Sequence, residues 1–278
     1  MDLPLRKQID FGLEFKEWYL KILDDFGFDY FKDCEARDYL NQILNEKEHP
    51  WNLETVLKRF KNEMVKRKNI LLIGCGPSLE ETFEFMLRNL EKDIFSNSFN
   101  LVADGASMFL KEKGVHINAV FTDLDGIDKG IFDISTFMVV HAHGDNIDKI
   151  RYFAREILSS KNLIATTQVE SIDNIINPGG FTDGDRILFF IKSLLQPFHR
   201  IFLIGMDFQT IVGKYSKPRL KKNTKADPIK IKKLKYAINL IEWLKNSMKN
   251  EIYLVNSSYH STSFINLTLN QLNVNLFY

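Results

Sequence analysis

Residues 69–79 read Asn69-Ile70-Leu71-Leu72-Ile73-Gly74-Cys75-Gly76-Pro77-Ser78-Leu79. A short apolar run leads into a glycine turn, and a helical pattern follows, which is how a strand-to-helix unit of a parallel sheet begins. Ser78 is a favourable N-cap, and Glu81 three residues later completes the pattern of a capping box. This stretch therefore predicts the first strand and the first helix of an α/β core.

The same turn is a candidate ligand site. Two glycines let a ligand approach the backbone closely, and free amides at a helix N-terminus attract anions. No Gly-Lys-Ser/Thr follows, so the turn is not a P-loop, and it is not a complete G-x-G-x-x-G fingerprint. A tight turn without a ligand fits the pattern equally well. The residues assigned here to nucleotide binding are Gly74, Gly76, Pro77 and Ser78.

Downstream of this turn, apolar runs alternate with amphipathic stretches. Such alternation is typical of βαβ units, and several runs are apolar throughout, as strands buried on both faces should be. Strands are predicted at residues 69–74, 99–103, 118–122, 137–141, 162–166, 201–206 and 251–255. Helices are predicted at residues 78–91, 106–113, 146–159, 184–195 and 229–248. The predicted fold class is α/β, with a Rossmann-like, mostly parallel sheet and helices on both faces.

The chain divides into two parts by pattern. Residues 1–66 carry no strand-like run, and their aromatic and aliphatic residues recur at roughly helical spacing. We therefore predict a helical N-terminal appendage over residues 1–66. The Rossmann-like catalytic core is predicted to span residues 67–278, including a C-terminal helix and strand.

The composition narrows the class of protein. The chain has 278 residues, of which 45% are hydrophobic and 26% charged, and its formal net charge is +1. So small a net charge gives no reason to expect nucleic acid or an anionic membrane as a partner. No apolar run reaches the ~20 residues of a membrane span. With only two cysteines and no signal-peptide pattern, a cytoplasmic protein is expected, and a homo-oligomer stays open.

Acidic residues stand where predicted strands end. Asp104 follows the second strand, Asp123 and Asp125 follow the third, and Asp145 follows the fourth. Because the carboxyl ends of parallel strands meet at one edge of a sheet, these carboxylates should gather there and repel one another. Oxygen ligands of this kind suit Mg²⁺, which commonly also binds substrate phosphates. The sequence therefore predicts a magnesium–nucleotide site, to which Asp183 of a later Thr-Asp-Gly-Asp segment would contribute.

Several of these acidic residues also have a structural interpretation. Asp123 and Asp125 could form an Asx-type turn closed by Gly126. Asp145 and Asn146 are assigned to ligand binding, although either could instead cap the helix that carries Lys149, a residue near enough to reach a phosphate at the strand ends.

Two other classes of site are possible in the same region. Asp104 could bind a ribose in a dinucleotide or methyltransferase site, but it follows the glycine turn by more than the usual ~20 residues. His141 and His143 form an H-x-H pair, yet a zinc hydrolase would need further histidines at later strand ends. His143 could instead hydrogen-bond a phosphate, and His141 is expected to be structural.

Two segments offer further contacts to a ligand. In Gly179-Gly180-Phe181-Thr182-Asp183-Gly184-Asp185-Arg186, one acidic residue is expected to cap a helix, and Phe181 is a candidate for stacking on a flat ring. Residues 213–228 form a basic loop containing Lys214, Lys217 and Arg219. This loop is either a solvated surface segment or a flap whose cations meet phosphates.

The order and spacing of these motifs resemble those of the archaeal 6-hydroxymethyl-7,8-dihydropterin pyrophosphokinase family. That family is distantly similar to thiamine pyrophosphokinase and to motility-accessory glycosyltransferases. The matching strings cover residues 69–208 and read GCGPSLE, ADGA, VFTDLDG, HAHGDN, GGFTDGDR and FLIGMDF.

The resemblance implies an enzyme that transfers the β,γ-diphosphate of ATP to the hydroxymethyl group of a reduced pterin and releases AMP. By similarity to the thiamine enzyme, Mg²⁺ would be held by Asp104, Asp123, Asp125 and Asp145, and Lys149 would contact phosphate. The assigned catalytic residues are Asp123, Asp125 and Lys149. The thiamine enzyme has a serine after its D-x-D pair, where this chain has Gly126, so the ligand set is not carried over exactly.

Two alternative functions stay open at this point. A glycosyltransferase that uses a nucleotide-sugar donor also combines a D-x-D motif with a Rossmann-like core, although the related bacterial enzymes are generally longer. A non-catalytic nucleotide-binding module is the third possibility, and the number of carboxylates argues against it.

Overall fold

The computed structural model describes residues 3–48, 50–90 and 93–272. Its centre is a nine-stranded parallel sheet in the order β11-β10-β7-β1-β2-β3-β4-β5-β6, and β8 and β9 form a separate antiparallel pair. The strands are β1 Asn69–Ile73, β2 Phe99–Ala103, β3 Ile117–Thr122, β4 Ser135–Ala142, β5 Leu163–Thr167, β6 Ile175–Ile176, β7 Arg200–Ile204, β8 Ile211–Val212, β9 Thr224–Lys225, β10 Ile252–Val255 and β11 Ile265–Leu267. This arrangement confirms the α/β, Rossmann-like fold class.

The strand order places a topological switch beside β1. From β1 the chain proceeds through β2, β3 and β4 in one direction, and β7 returns to pair with the other side of β1. Ile73 pairs with Val102 on one side and with Ile204 on the other, so these three strands end at the same level. The carboxyl ends of parallel strands at such a switch form a natural crevice for ligands.

Helices cover both faces of the sheet. They are α1 Leu5–Ile9, α2 Gly12–Phe26, α3 Tyr30–Asn45, α4 Leu53–Met64, α5 Leu79–Asn89, α6 Ile94–Asn97, α7 Ala106–Lys113, α8 Ile131–Ile134, α9 Ile147–Tyr152, α10 Ala154–Ser159, α11 Asp183–Ile191 and α12 Pro228–Lys245. Two hydrophobic clusters result, one on each side of the sheet. None of the helices within the described residues combines the length and the apolar character that crossing a lipid bilayer requires.

The N-terminal helices are packed directly onto the sheet. Phe60 of α4 is fully buried, and its ring lies 5.3 Å from that of Phe99, 5.2 Å from that of Phe137 and 5.2 Å from that of Phe190. Burial of rings of this size is worth several kcal/mol per residue. The described part of residues 1–66 is helical, as predicted, and contributes to both hydrophobic clusters of the core.

Most differences from the predicted elements concern short segments. All seven predicted strands are present, whereas β6, β8, β9 and β11 have only two or three residues and were not predicted. The helix predicted at residues 146–159 is wrong as a single element. It consists of a 3₁₀ turn at Gly144–Asn146 followed by α9 and α10, with the break at Phe153, whose buried ring stacks on Phe132.

Candidate functional site

Three carboxylates meet at the carboxyl edge of the sheet. Asp104 follows β2, Asp123 follows β3 and Asp183 is the first residue of α11. One oxygen from each lies within 4.8 Å of the others, a spacing that allows one metal ion to be held. We call these three residues the acidic cluster. Asp104 and Asp123 were predicted as metal ligands, whereas Asp183 was predicted only as a nucleotide contact, and Asp125 and Asp145 lie outside the cluster.

The backbone at Asp104 is held in an unusual conformation. Its φ angle is +34°, a region that residues other than glycine seldom adopt. Its Oδ1 accepts hydrogen bonds from Thr122 Oγ1 at 2.6 Å and from the Gly126 amide at 3.3 Å. A Cβ atom on Gly126 would collide with the Asp104 carboxylate, so the glycine at this position permits the close approach. The Asx-turn interpretation is therefore incomplete, because the turn also positions Asp104.

The three carboxylates differ in their affinity for protons. Burial and the charge of Asp123 raise the pKa of Asp104 to about 7, and burial together with Asp123 and Asp104 raises the pKa of Asp183 well above its ordinary value. Burial also acts on Asp123, but the hydrogen bond and the charge of His143 outweigh it and lower the pKa of Asp123 to about 2. The cluster therefore carries charges that repel each other, and a divalent cation would relieve that repulsion.

His143 and Asn146 organise the edge beside Asp123. His143 Nε2 lies 3.4 Å from Asp123 Oδ2. Asn146 is buried, and its side-chain amide donates to the carbonyl oxygens of Asp123 at 2.9 Å and of His141 at 2.6 Å. The side chain of Asn146 thus joins the ends of β3 and β4. His141 is buried with its Nδ1 3.0 Å from Thr166 Oγ1, which agrees with the structural role expected for it.

Lys149 and Asp125 form a pair at the rim of the site. Lys149 Nζ lies 3.2 Å from Asp125 Oδ1, and the Asp125 side chain is 68% exposed. Asp145 is also exposed. Exposed carboxylates of this kind are well hydrated, and their charges are screened more than those of the half-buried carboxylates in the acidic cluster. The assignment of Asp125, Asp145 and Lys149 to metal or phosphate contact stays a prediction.

The N-terminus of α5 is filled by a protein carboxylate. Asp207, which follows β7, accepts hydrogen bonds on Oδ2 from the Ser78 amide at 3.0 Å and from Ser78 Oγ at 2.9 Å. The expected capping box with Glu81 is therefore wrong, because the Ser78 side chain is directed to Asp207 and caps nothing within the helix. Gly76 lets the chain pass close to Asp207, since a Cβ there would collide with this carboxylate.

The start of α11 has the capping role that the sequence predicted. Asp185 accepts hydrogen bonds from the Phe181 amide at 2.5 Å, the Thr182 amide at 2.9 Å and Thr182 Oγ1 at 2.8 Å. Thr182 is the N-cap and Asp185 is the N3 residue of this capping box, so the Asp183 side chain is available to the acidic cluster. Within the described residues, Asp183 Oδ1 is buried and accepts no hydrogen bond, and Arg186 lies 3.5 Å from it. A buried acceptor of this kind is a suitable metal ligand.

Two cavities open on either side of the acidic cluster. The larger cavity, of about 390 Å³, is lined by Gly74, Gly76, Pro77 and Asp104 on the sheet side and by Ile229 and Ala237 on the α12 side. The smaller cavity, of about 210 Å³, is lined by Phe28, Asp33, Asp145, Gln168, Phe181 and Arg186. Both are lined by Asp123, Thr182, Asp183, Lys230 and Lys233.

The predicted ligand-binding residues fall unevenly between these cavities. Gly74, Gly76, Pro77 and Asp125 line the larger cavity, and Asp145 and Phe181 line the smaller one. Among the described residues that line either cavity, Ser78, Asn146 and Lys149 do not appear. In the basic loop, Lys217 lines the larger cavity, whereas Lys214 forms a salt bridge with Glu80 at 2.6 Å.

Lys230 and Lys233 are functional candidates that the sequence analysis missed. Both are half-buried on α12 and line both cavities. Neither ammonium group forms a salt bridge within the described residues, while Lys233 Nζ lies 5.4 Å from the Phe28 ring and 5.6 Å from the Phe181 ring. Burial lowers the pKa of Lys233. The only available signal was their spacing of three residues, which places both on one helix face.

Comparison with known proteins identifies the family to which this chain is similar. Residues 41–213 match the family described as 6-hydroxymethylpterin diphosphokinase MptE-like. A relative from Pyrococcus furiosus named 6-hydroxymethyl-7,8-dihydropterin pyrophosphokinase is 38% identical, over 86% of this chain and 96% of its own length. A relative with the same name from Methanocaldococcus jannaschii is 35% identical, over 86% of this chain and 99% of its own length.

Among solved structures, this chain is similar to the MAf glycosyltransferase of Magnetospirillum magneticum. The TM-score is 0.43 and the identity 10%, over 73% of this chain and 34% of that one.

Replacing Asp104 with asparagine should stabilise the protein in the absence of divalent cations. Because the pKa of Asp104 is raised from 3.8 to about 7, its ionised form costs stability as the pH rises through this range, and the full cost applies above pH 7. Asparagine keeps the acceptor for Thr122 and Gly126 and tolerates the positive φ. In EDTA at pH 8 we expect Asp104→Asn to raise Tm by ~3 °C or more.

The gain should shrink as the pH falls towards 4, and thermal unfolding followed by circular dichroism would measure it. Asp148→Asn is the control, because the Asp148 side chain is 93% exposed and pairs with Arg151 at the surface. We expect its Tm to stay within ~1 °C of the wild type at both pH values. A destabilised Asp104→Asn variant at pH 8 would contradict the electrostatic description of the cluster.

Proposed function

Because the chain belongs to the MptE-like 6-hydroxymethylpterin diphosphokinase family, we propose that it transfers diphosphate from ATP to 6-hydroxymethyl-7,8-dihydropterin and releases AMP. The observation that carries the proposal is the junction of two cavities at the acidic cluster. A diphosphotransferase must hold two substrates at once, with the transferred group between them. Two cavities with a common wall of carboxylates and lysines satisfy that requirement.

Size and chemistry support assigning one substrate to each cavity. ATP is the larger substrate, and the larger cavity offers glycine backbone at Gly74 and Gly76 and an apolar surface at Ile229 for the base and the ribose. The reduced pterin is a small flat ring, and the smaller cavity is lined by the aromatic side chains of Phe28 and Phe181 and by several polar side chains. Phe181 is buried and its ring packs against Phe26 at 5.1 Å, so it is already fixed in place.

The acidic cluster fits a Mg²⁺ ion. Its donors are carboxylate oxygens only, one of which is buried and accepts no hydrogen bond from the described residues, and Mg²⁺ prefers such ligands. Mg²⁺ bound there would neutralise charge that develops on the phosphates during transfer. Asp104, Asp123 and Asp183 are proposed as its protein ligands. Asp125 and Asp145, at the rim, are proposed to act through water or through charge alone.

The lysines of α12 are proposed to hold the transferred diphosphate. Lys230 and Lys233 line both cavities, so a group that passes from one cavity to the other stays beside both ammonium groups. Their positive charge complements the phosphate oxygens in a site with reduced access to water. Lys149 and Lys217 lie farther out and would add positive charge at the entrance, together with the exposed Arg219.

In the proposed reaction, the pterin hydroxyl oxygen attacks the β-phosphorus of ATP. A bond forms between these two atoms, and the bond from the β-phosphorus to the oxygen that bridges it to the α-phosphorus breaks, so AMP leaves. The hydroxyl proton passes to a carboxylate at the junction or to water. A strong base is not required, because the transition state of phosphoryl transfer is loose and catalysis rests mainly on positioning and charge.

The products of turnover test this function directly. We expect incubation with ATP, Mg²⁺ and 6-hydroxymethyl-7,8-dihydropterin to yield AMP and the pterin diphosphate in equal amounts, because attack falls on the β-phosphorus. Anion-exchange chromatography of the nucleotides, with thiamine and sugars as control acceptors, would measure the products. ADP as the stoichiometric product, or AMP release that does not depend on the pterin, would overturn the proposal.

Two asparagine variants distinguish the contribution of the acidic cluster to catalysis from that of the residues at its rim. We expect Asp123→Asn to lower kcat/KM by ~10² or more, the scale of removing one preorganised electrostatic contact. Asp125→Asn removes the same charge two residues away, from a side chain that is 68% exposed and paired with Lys149. We expect its loss to stay below ~10-fold, since exposed ion pairs contribute ~1 kcal/mol or less. Steady-state kinetics at saturating Mg²⁺ measures both, and equal losses would place Asp125 among the metal ligands.

A further inference from the structure

Asp33 is a buried carboxylate that belongs to neither the sheet edge nor the acidic cluster. It lies in α3, within the N-terminal helical region, and it lines the smaller cavity while being only 3% exposed. A buried charge is costly unless its oxygens are satisfied. The hydrogen bonds of Asp33 therefore show which of its oxygen acceptor positions the protein itself satisfies.

Three donors hold the Asp33 carboxylate in place. Tyr19 Oη donates to Oδ2 at 2.6 Å, Gln168 Nε2 donates to Oδ2 at 2.7 Å, and the Gly144 amide donates to Oδ1 at 2.7 Å. Burial and the hydrogen bond to Asp33 raise the pKa of Tyr19, so its hydroxyl stays protonated and remains a donor at neutral pH. A carboxylate has about four acceptor positions. The described part of the chain uses three of them, and the fourth is on Oδ1.

The close approach of α3 to the sheet edge places the Asp33 carboxylate in the wall of the smaller cavity. A Cβ on Gly144 would collide with Lys32, so the glycine lets the helix approach the turn after β4. This contact brings Asp33 to the cavity. Asp33 also has a structural role, because its hydrogen bond with the Gly144 amide joins α3 to that turn. A purely structural role accounts for the three donors. It does not account for the fourth acceptor position on a carboxylate that lines the smaller cavity.

Donor and acceptor groups alternate along this wall. Gln168 donates to Asp33 through Nε2 and accepts from Arg186 NH2 through Oε1 at 3.2 Å. Within the described residues, Arg186 Nε is buried and donates no hydrogen bond. The wall therefore presents a carboxylate acceptor and a guanidinium donor, joined by one amide. A pterin has the complementary edge, with N–H donors of an amino group and a ring lactam next to a carbonyl oxygen.

We infer that Asp33 selects the pterin ring by accepting an N–H of its amino–lactam edge, with Arg186 facing the carbonyl oxygen. The inference rests on the proposed function, and it assigns substrate specificity to the N-terminal helices. Hydrogen bonds to a charged group contribute about 1.5–3 kcal/mol, so the loss of this contact corresponds to ~10- to 100-fold weaker binding.

Binding of oxidised 6-hydroxymethylpterin to the full chain, without ATP, tests the inference through the fluorescence of the ligand. We expect Asp33→Asn to raise the pterin Kd by ~10- to 100-fold and to leave the Kd of an unreactive ATP analogue within ~3-fold. Tyr19→Phe is the matched control, because it removes a hydrogen bond to the same carboxylate and Tyr19 does not line the smaller cavity. Its Tm should fall, and its pterin Kd should stay within ~3-fold.

An unchanged pterin Kd in folded Asp33→Asn would overturn the inference, and so would an equal loss in Tyr19→Phe. If Asp33→Asn does not fold, the wild type supplies the answer with a pterin methylated at the amino group and at the lactam nitrogen. Binding as tight as that of the parent pterin would overturn the inference, and binding weaker by ~10-fold or more would support it. Wild-type protein that binds pterin through Asp33 and releases no AMP would instead contradict the proposed function alone.

Discussion

Mutual repulsion among three half-buried carboxylates is the constraint on which the site depends. Asp104, Asp123 and Asp183 come from different parts of the chain, and the parallel sheet and α11 bring their oxygens within 4.8 Å of one another. The fold stabilises this arrangement with specific partners, which are Thr122 for Asp104, His143 for Asp123 and Arg186 for Asp183. A cation bound between these charges would offset the free energy that the fold provides to hold them together.

The two cavities meet at the same edge of the sheet. The acidic cluster lies at their junction, so a metal ion there and the lysines of α12 would contact a diphosphate group wherever it stands along the transfer path. The smaller cavity is completed by the N-terminal helices through Phe28 and Asp33. These helices are therefore proposed to be part of the active site as well as of the hydrophobic core.

The sequence predicts the sheet well because strands covered on both faces are apolar runs. The positions of Asp104 and Asp123 at the sheet edge are predicted as well, because each residue comes directly after such a strand. The sequence predicts long-range partners poorly. The Ser78 side chain binds Asp207, 129 residues away, and no local pattern distinguishes that contact from a capping box. Lys230 and Lys233 reach the site only because α12 packs beside α11, which is a tertiary contact that helical periodicity does not reveal.

A crystal structure of the protein with Mn²⁺, an α,β-methylene ATP analogue and 6-hydroxymethylpterin would test the central claim most directly. We expect an anomalous peak between Asp104, Asp123 and Asp183. We also expect the triphosphate in the larger cavity beside Lys230 and Lys233, and the pterin in the smaller cavity. A metal ion held only by residues outside the acidic cluster, or both organic ligands in one cavity, would contradict this claim.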